Sequence, residues 1–97
     1  MNAPLNWPTI TTEAVHYLQD LLRINTTNPP GNELAAANYL AGVLREEGLK
    51  RVVLENAPQR EDGIARLKGD GPRPPLLLYP PTDVFPAEPA HWTHPPF

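Results

Sequence analysis

Residues 76–86 read Leu76-Leu77-Leu78-Tyr79-Pro80-Pro81-Thr82-Asp83-Val84-Phe85-Pro86, four apolar residues in a row followed by a proline pair and an acidic turn. A strand with one wet face alternates apolar and polar side chains, whereas a strand covered on both faces of an α/β sheet is apolar throughout. Residues 76–79 therefore predict a covered third strand. Upstream, Gly69-Asp70-Gly71 closes a second predicted strand over residues 64–68, where Ala65 and Leu67 alternate with Arg66 and Lys68. A charged turn through Arg60, Glu61, Asp62 and Gly63 separates it from a first strand over residues 51–55, where Val52, Val53 and Leu54 are β-prone.

Two helices are expected ahead of these strands. Thr11 or Thr12 is placed to cap a helix over residues 13–23, in which Ala14, Val15, Leu18, Leu21 and Leu22 recur at three- and four-residue spacing. Residues 25–31 stack turn formers and read as a loop, since Pro29 biases the residue before it away from the helical region. Asn32 then caps a second helix with Leu34, Ala37, Leu40, Ala41, Val43 and Leu44 facing inward and Glu46 and Glu47 in water. Gly48 ends it in a left-handed conformation. The order of two helices and then three strands predicts the opening of an α/β or α+β layer, still lacking the helices that would cover its second face.

Composition removes several classes of function. Eight basic and eleven acidic residues give a formal net charge of -3, and no basic run exceeds Lys50-Arg51, so nucleic acid is not an expected partner. The absence of cysteine excludes disulfides and thiolate chemistry, and leaves His and carboxylates as the only candidate metal ligands. Residues 1–8 carry no leader pattern and the longest apolar run is far too short for a bilayer, so no membrane association and a soluble, cytoplasmic protein are expected. Of fourteen prolines, nine lie from Pro72 onward, a tail that suits neither a helix nor a long strand.

Four segments carry a family resemblance. They are Leu22-Arg23-Ile24-Asn25-Thr26-Thr27-Asn28-Pro29-Pro30-Gly31-Asn32-Glu33, Ile64-Ala65-Arg66-Leu67-Lys68-Gly69, Leu76-Leu77-Leu78 with Thr82-Asp83-Val84-Phe85-Pro86, and Ala87-Glu88-Pro89-Ala90-His91-Trp92-Thr93-His94-Pro95-Pro96-Phe97. In this order they resemble the zinc-dependent amidohydrolases and peptidases that include acetylornithine deacetylase, succinyl-diaminopimelate desuccinylase and glutamate carboxypeptidase. The resemblance implies a mixed-sheet catalytic domain, of which residues 1–97 would be the amino-terminal portion. The proline-rich tail 72–97 would then hold a metal-site turn at 80–86. It also implies a two-zinc site, a small-molecule or peptide substrate, and a homodimer as one state of the full-length protein. In the family that turn usually reads Gly-His-Thr-Asp-Val-Val-Pro; its His ligates one zinc ion and the Asp two residues later, matched here by Asp83, orients the imidazole. A ligating His commonly gives its second ring N–H to a carboxylate, which fixes its tautomer.

The chain departs from that pattern where the family's Gly-His becomes Pro80-Pro81. Proline offers no side-chain lone pair, so Asp83 would orient a ligand that is missing, and no zinc is expected on this chain. A sequence error, a decayed copy and a non-catalytic relative all remain open at this point, and without the His the plainer reading of Asp83 is a turn or capping carboxylate. The family's later bridging Asp, its Glu-Glu pair with the general base and its last His have no counterpart in residues 1–97. His91 and His94 form His-x-x-His in a proline-rich loop, and are expected at the surface rather than on a metal. His16 is expected to be half-exposed on the first helix, and Trp92 and Phe97 to pack on the domain surface. Two functions follow as expectations: the beginning of a zinc hydrolase that cleaves amide bonds of N-acyl amino acids or small peptides, inactive as this chain, or a truncated, non-catalytic member acting as a binding or assembly module. An unrelated adaptor presenting Pro72-Arg73-Pro74-Pro75 as a polyproline ligand is the weakest of the readings.

Overall fold

An asparagine and a proline start the first helix earlier than the threonines would. In the computed structural model, which describes residues 3–97 with positions 51, 53 and 55 as backbone, α1 spans Trp7–Leu22. Met1 and Asn2, part of the stretch 1–8 in which no leader pattern is expected, lie outside the described residues. Asn6 Oδ1 accepts from the Thr9 N–H at 3.2 Å, and Pro8 sits in the first turn, where its missing N–H costs nothing. The expected caps are therefore interior: Thr12 donates its hydroxyl back to the Pro8 carbonyl at 3.0 Å. No residue of α1 is buried, and Trp7, Val15, Leu18 and Leu22 stay exposed.

α2 spans Leu34–Glu46, with Glu33 rather than Asn32 at the cap position and no side-chain cap. Its inner face is Ala36, Ala37 and Ala41, with Leu34, Leu40, Val43 and Leu44 half-buried and Glu46 and Glu47 exposed. Gly48 follows at φ +78°, the left-handed stop that its sequence position implies.

α2 packs on both strands of an antiparallel hairpin, β1 at Arg51–Ala57 and β2 at Arg60–Ala65. Val52 faces Ile64 and Leu54 faces Asp62, and the register slips between Glu55 and Ala57. The charged stretch from Arg60 to Gly63 is strand rather than turn; the turn is Pro58-Gln59, with Gln59 left-handed at φ +64°. Arg60 is drawn into the strand by its ion pair with Glu33, and the Gln59 carbonyl accepts the Leu34 N–H at 3.2 Å. Residues 66–68, expected to finish the second strand, lie beyond its end.

The expected third strand is not formed. Residues 76–79 have no strand pairing and are among the most exposed of the chain, Leu76 and Leu77 at 84%. A continuously apolar strand is stable between two covering layers, and here all four side chains stay exposed to solvent. The chain is thus α/β, two helices and a two-stranded antiparallel sheet. No helix among the described residues is long and apolar enough to cross a membrane.

Candidate functional site

The loop of residues 25–33 is shaped by its own side chains. Asn25 Oδ1 accepts from both the N–H and the hydroxyl of Thr27, at 3.0 and 2.6 Å, an Asx-type turn. The Gly31 N–H donates to the Thr27 carbonyl at 2.7 Å with φ at +79°, a conformation that glycine adopts without penalty. A Cβ there would also be crowded, 3.0 Å from both Arg60 Cζ and Glu33 Oε1, so the ion-paired side chains would have to give by a few tenths of an ångström. Arg60 donates through Nε and Nη2 to the two carboxylate oxygens of Glu33, at 3.1 and 2.9 Å. This fork-to-fork pair, on a buried Glu33, fastens the loop to the hairpin.

The same loop holds the acidic turn. Thr27 pairs with Val84 as a parallel bridge: the Val84 N–H donates to the Thr26 carbonyl at 3.1 Å, and the Asn28 N–H donates to the Val84 carbonyl at 2.9 Å. The hydroxyl of buried Thr26 donates to the Thr82 carbonyl at 2.6 Å. Asn28 Nδ2 donates to Asp83 Oδ2 at 3.0 Å. Two segments that the sequence separates by more than fifty residues thus meet side by side, with the half-buried Asp83 carboxylate at the seam. The sequence reading singled out Asp83 and the loop but not Thr26 and Asn28 as its partners. A threonine and an asparagine in a turn-rich loop are ordinary there, and only their hydrogen bonds across the fold distinguish them.

The residues present do not fit zinc. Among the described residues no three His, Asp or Glu side chains are grouped to hold a metal ion, whereas a zinc site needs three or four protein ligands. Position 81 is proline, which has no side-chain lone pair, and the Asp83 carboxylate accepts the Asn28 amide N–H through Oδ2. His91 ends a short 3-10 turn at Pro89–His91, and both His91 and His94 are exposed, as is Trp92. A cleft of about 490 Å³ lies beside the loop, with Asn25, Thr27 and Asn32 along its polar edge and Pro29, Pro86 and Phe97 among its apolar walls. None of its lining side chains is ionisable, so it offers neither an acid nor a base.

A second polar cluster lies away from the seam, where α1 meets α2. Asp20 Oδ2 accepts from the Tyr39 hydroxyl at 2.7 Å and lies 3.3 Å from His16 Nε2, while Oδ1 accepts from Arg23 at 3.3 Å. Desolvation, followed by the hydrogen bond to Asp20, pushes the Tyr39 phenol up to about 12. Desolvation first and nearby Glu13 second raise Tyr17 as well. Both shifts favour neutral phenols, and neither supplies a base near neutral pH. No protein-family model, curated protein or solved structure matches the chain.

Proposed function

We propose that residues 1–97 form the amino-terminal portion of the catalytic domain of a co-catalytic zinc hydrolase that cleaves the amide bond of N-acyl amino acids or small peptides, and that they do not turn over substrate alone. The observation that carries this reading is the seam between the loop at 26–28 and the turn at 82–84. Two segments quoted independently for the family resemblance are joined by four hydrogen bonds, with Asp83, the carboxylate that the resemblance assigns to metal-site orientation, at the join. Metal ligands and the general base would come from residues outside these 97, so no step of hydrolysis is assigned to the residues present. A cytoplasmic location, a small acyl-amino-acid or peptide substrate and dimerisation belong to the same reading. Its test is the reading frame beyond the Phe97 codon. The frame is expected to run through a Gly-rich segment into an Asp-Met-Lys-like turn and a Glu-Glu pair; one that lacks both refutes the hydrolase.

Pro80-Pro81 in place of Gly-His favours one other reading, a family member that has lost catalysis and serves as a binding or assembly module. Metal analysis and acyl-amino-acid hydrolysis on the product of the whole frame separate the two. Stoichiometric zinc and chelator-sensitive turnover belong to the enzyme, and their joint absence belongs to the module.

A further inference from the structure

The chain contains Asp62-Gly63 and Asp70-Gly71, the same dipeptide in two settings. An aspartate followed by glycine can rearrange, because no side chain on the next residue keeps its amide nitrogen from the aspartate carboxyl carbon. We propose that Asp70-Gly71 is a covalent modification site, at which aspartate converts to isoaspartate through a cyclic succinimide, and that the hairpin protects Asp62-Gly63 from the same reaction. The inference is independent of the hydrolase reading.

Water is the only co-reactant the conversion needs. The Gly71 nitrogen attacks Cγ of Asp70 and forms a C–N bond, while the hydroxyl of the carboxylic acid leaves as water with the amide proton. Water then opens the ring at either carbonyl. Opening at Cγ returns aspartate. Opening at the original peptide carbonyl breaks its C–N bond and leaves the main chain running through Cβ and Cγ, one carbon longer, with a free α-carboxylate. Nothing is oxidised or reduced, and mass and charge are unchanged.

Both aspartates are exposed, so access to solvent does not separate the two sites. The backbone does. Asp70 and Gly71 lie outside every helix and strand, and no backbone carbonyl among the described residues takes the Gly71 N–H. Gly71 is at φ +104°, which glycine reaches without penalty, and a Cβ there would meet nothing within 4 Å. Asp62 and Gly63, by contrast, lie in β2 opposite Leu54 and Val53, and Asp62 Oδ2 accepts from Asn56 Nδ2 at 3.1 Å. A strand ψ near about +135° turns the following nitrogen away from the side chain, so the ring closes at Asp62 only after the hairpin opens locally. At Asp70 no ladder has to part. The added carbon enters the unpaired connection from β2 to the turn at 82–84, which accommodates it without disturbing the hairpin.

The test incubates the whole chain in neutral buffer and in urea, then quantifies isoaspartate at each position by electron-transfer fragmentation of its peptides. Methyl transfer by an isoaspartyl carboxyl methyltransferase gives a second readout. In the folded chain isoaspartate should form at position 70 at least about tenfold faster than at position 62, and in urea the two rates should converge. Asp70→Glu, whose ring would be one atom larger, should abolish the signal at position 70, and an unchanged circular dichroism spectrum is the control for folding. Equal rates in the folded chain overturn the proposal, as does a gap that persists undiminished in urea, which would place the cause in local sequence. Absence of isoaspartate at position 70 of the folded chain, at times when the urea-unfolded chain has formed it, overturns the site itself.

Discussion

The chain contains two neighbouring stretches of opposite character. Residues 82–84 carry one apolar side chain, yet every residue of this turn is bonded to the loop at 26–28. Residues 76–79, a few positions upstream, are wholly apolar and touch almost nothing, with Leu76, Leu77, Leu78 and Tyr79 at 78–84% exposure. Apolar burial is the larger driving force in folding, but it acts only where a second surface exists to meet the first. Hydrogen bonds between two turns need no such layer. Asp83 is therefore placed by the loop beside it and not by a strand beneath it.

The largest effect expected from this contrast concerns the turn in a parent protein that has the remaining family motifs. Pro80→Gly with Pro81→His should raise zinc content and amidase activity together by orders of magnitude. Asp83→Ala in that background should return about 10–100-fold of the gain, the usual cost of losing an orienting partner. Unchanged zinc and activity, with the later ligands present, would sever the turn from the metal site. Next in size is self-association through the apolar stretch, because exposed apolar segments with unpaired backbone recruit other chains. Sedimentation should show multimers of the isolated chain, and replacing Leu76 and Leu78 by Lys should weaken association by at least about tenfold, each leucine contributing roughly 1.5–3 kcal/mol when buried. A monomer before substitution would mean that the proline-rich tail covers the stretch.

Smaller effects probe the tied region. Arg60→Ala leaves the buried Glu33 carboxylate unpaired and should cost about 2–3 kcal/mol in urea unfolding, whereas Glu33→Ala leaves a half-exposed arginine that water can solvate and should cost about 1–2 kcal/mol. Equal losses would mean that Glu33 is reached by water. Gly31→Ala should cost about 1–2 kcal/mol for the left-handed backbone alone, with crowding against Arg60 in addition. The smallest effect is a matter of pH. Tyr39 titrates higher when folded, about 12 against an ordinary value of 10.0, so the folded state holds a proton that the unfolded state releases. Its contribution is complete below pH 10 and is lost as pH rises toward 12. Tyr39→Phe should flatten that decline in unfolding midpoints, and a profile identical to that of the parent chain would place the cause elsewhere.

Local patterns were legible where local forces decide. The apolar spacing of α2 and the glycine after it place that helix within a residue or two, and the β-prone run at 51–55 lies inside β1. The start of α1 is less legible, because Thr11 and Thr12 both suit a cap while Asn6 with Pro8 is the pair that forms one. β2 was read too late in the chain. Its charged residues suggest a turn, and the Glu33 partner that holds Arg60 in the strand lies 27 residues away. The third strand failed for a related reason: apolar content states a demand for cover but not its supply. Asp83 was identified through the resemblance, whereas Thr26 and Asn28 acquire meaning only from a pairing that no local window contains.

The bridge between Thr27 and Val84 also sets an order of assembly. The hydroxyl of Thr26 and the carbonyl of Thr82 are 56 residues apart, and closing a flexible loop of that length costs roughly 3–4 kcal/mol in its length-dependent part alone. Inside the loop, β1 and β2 pair directly across the turn at Pro58-Gln59, and the Glu33–Arg60 pair that ties the hairpin to the start of α2 spans 27 residues, about half the separation at the seam. Those elements condense early, and the seam is the last join to be made and the first to part. Amides of Asn28 and Val84 should accordingly exchange through an opening that leaves the hairpin closed, so Asp83 belongs to a unit that assembles and releases independently of the hairpin.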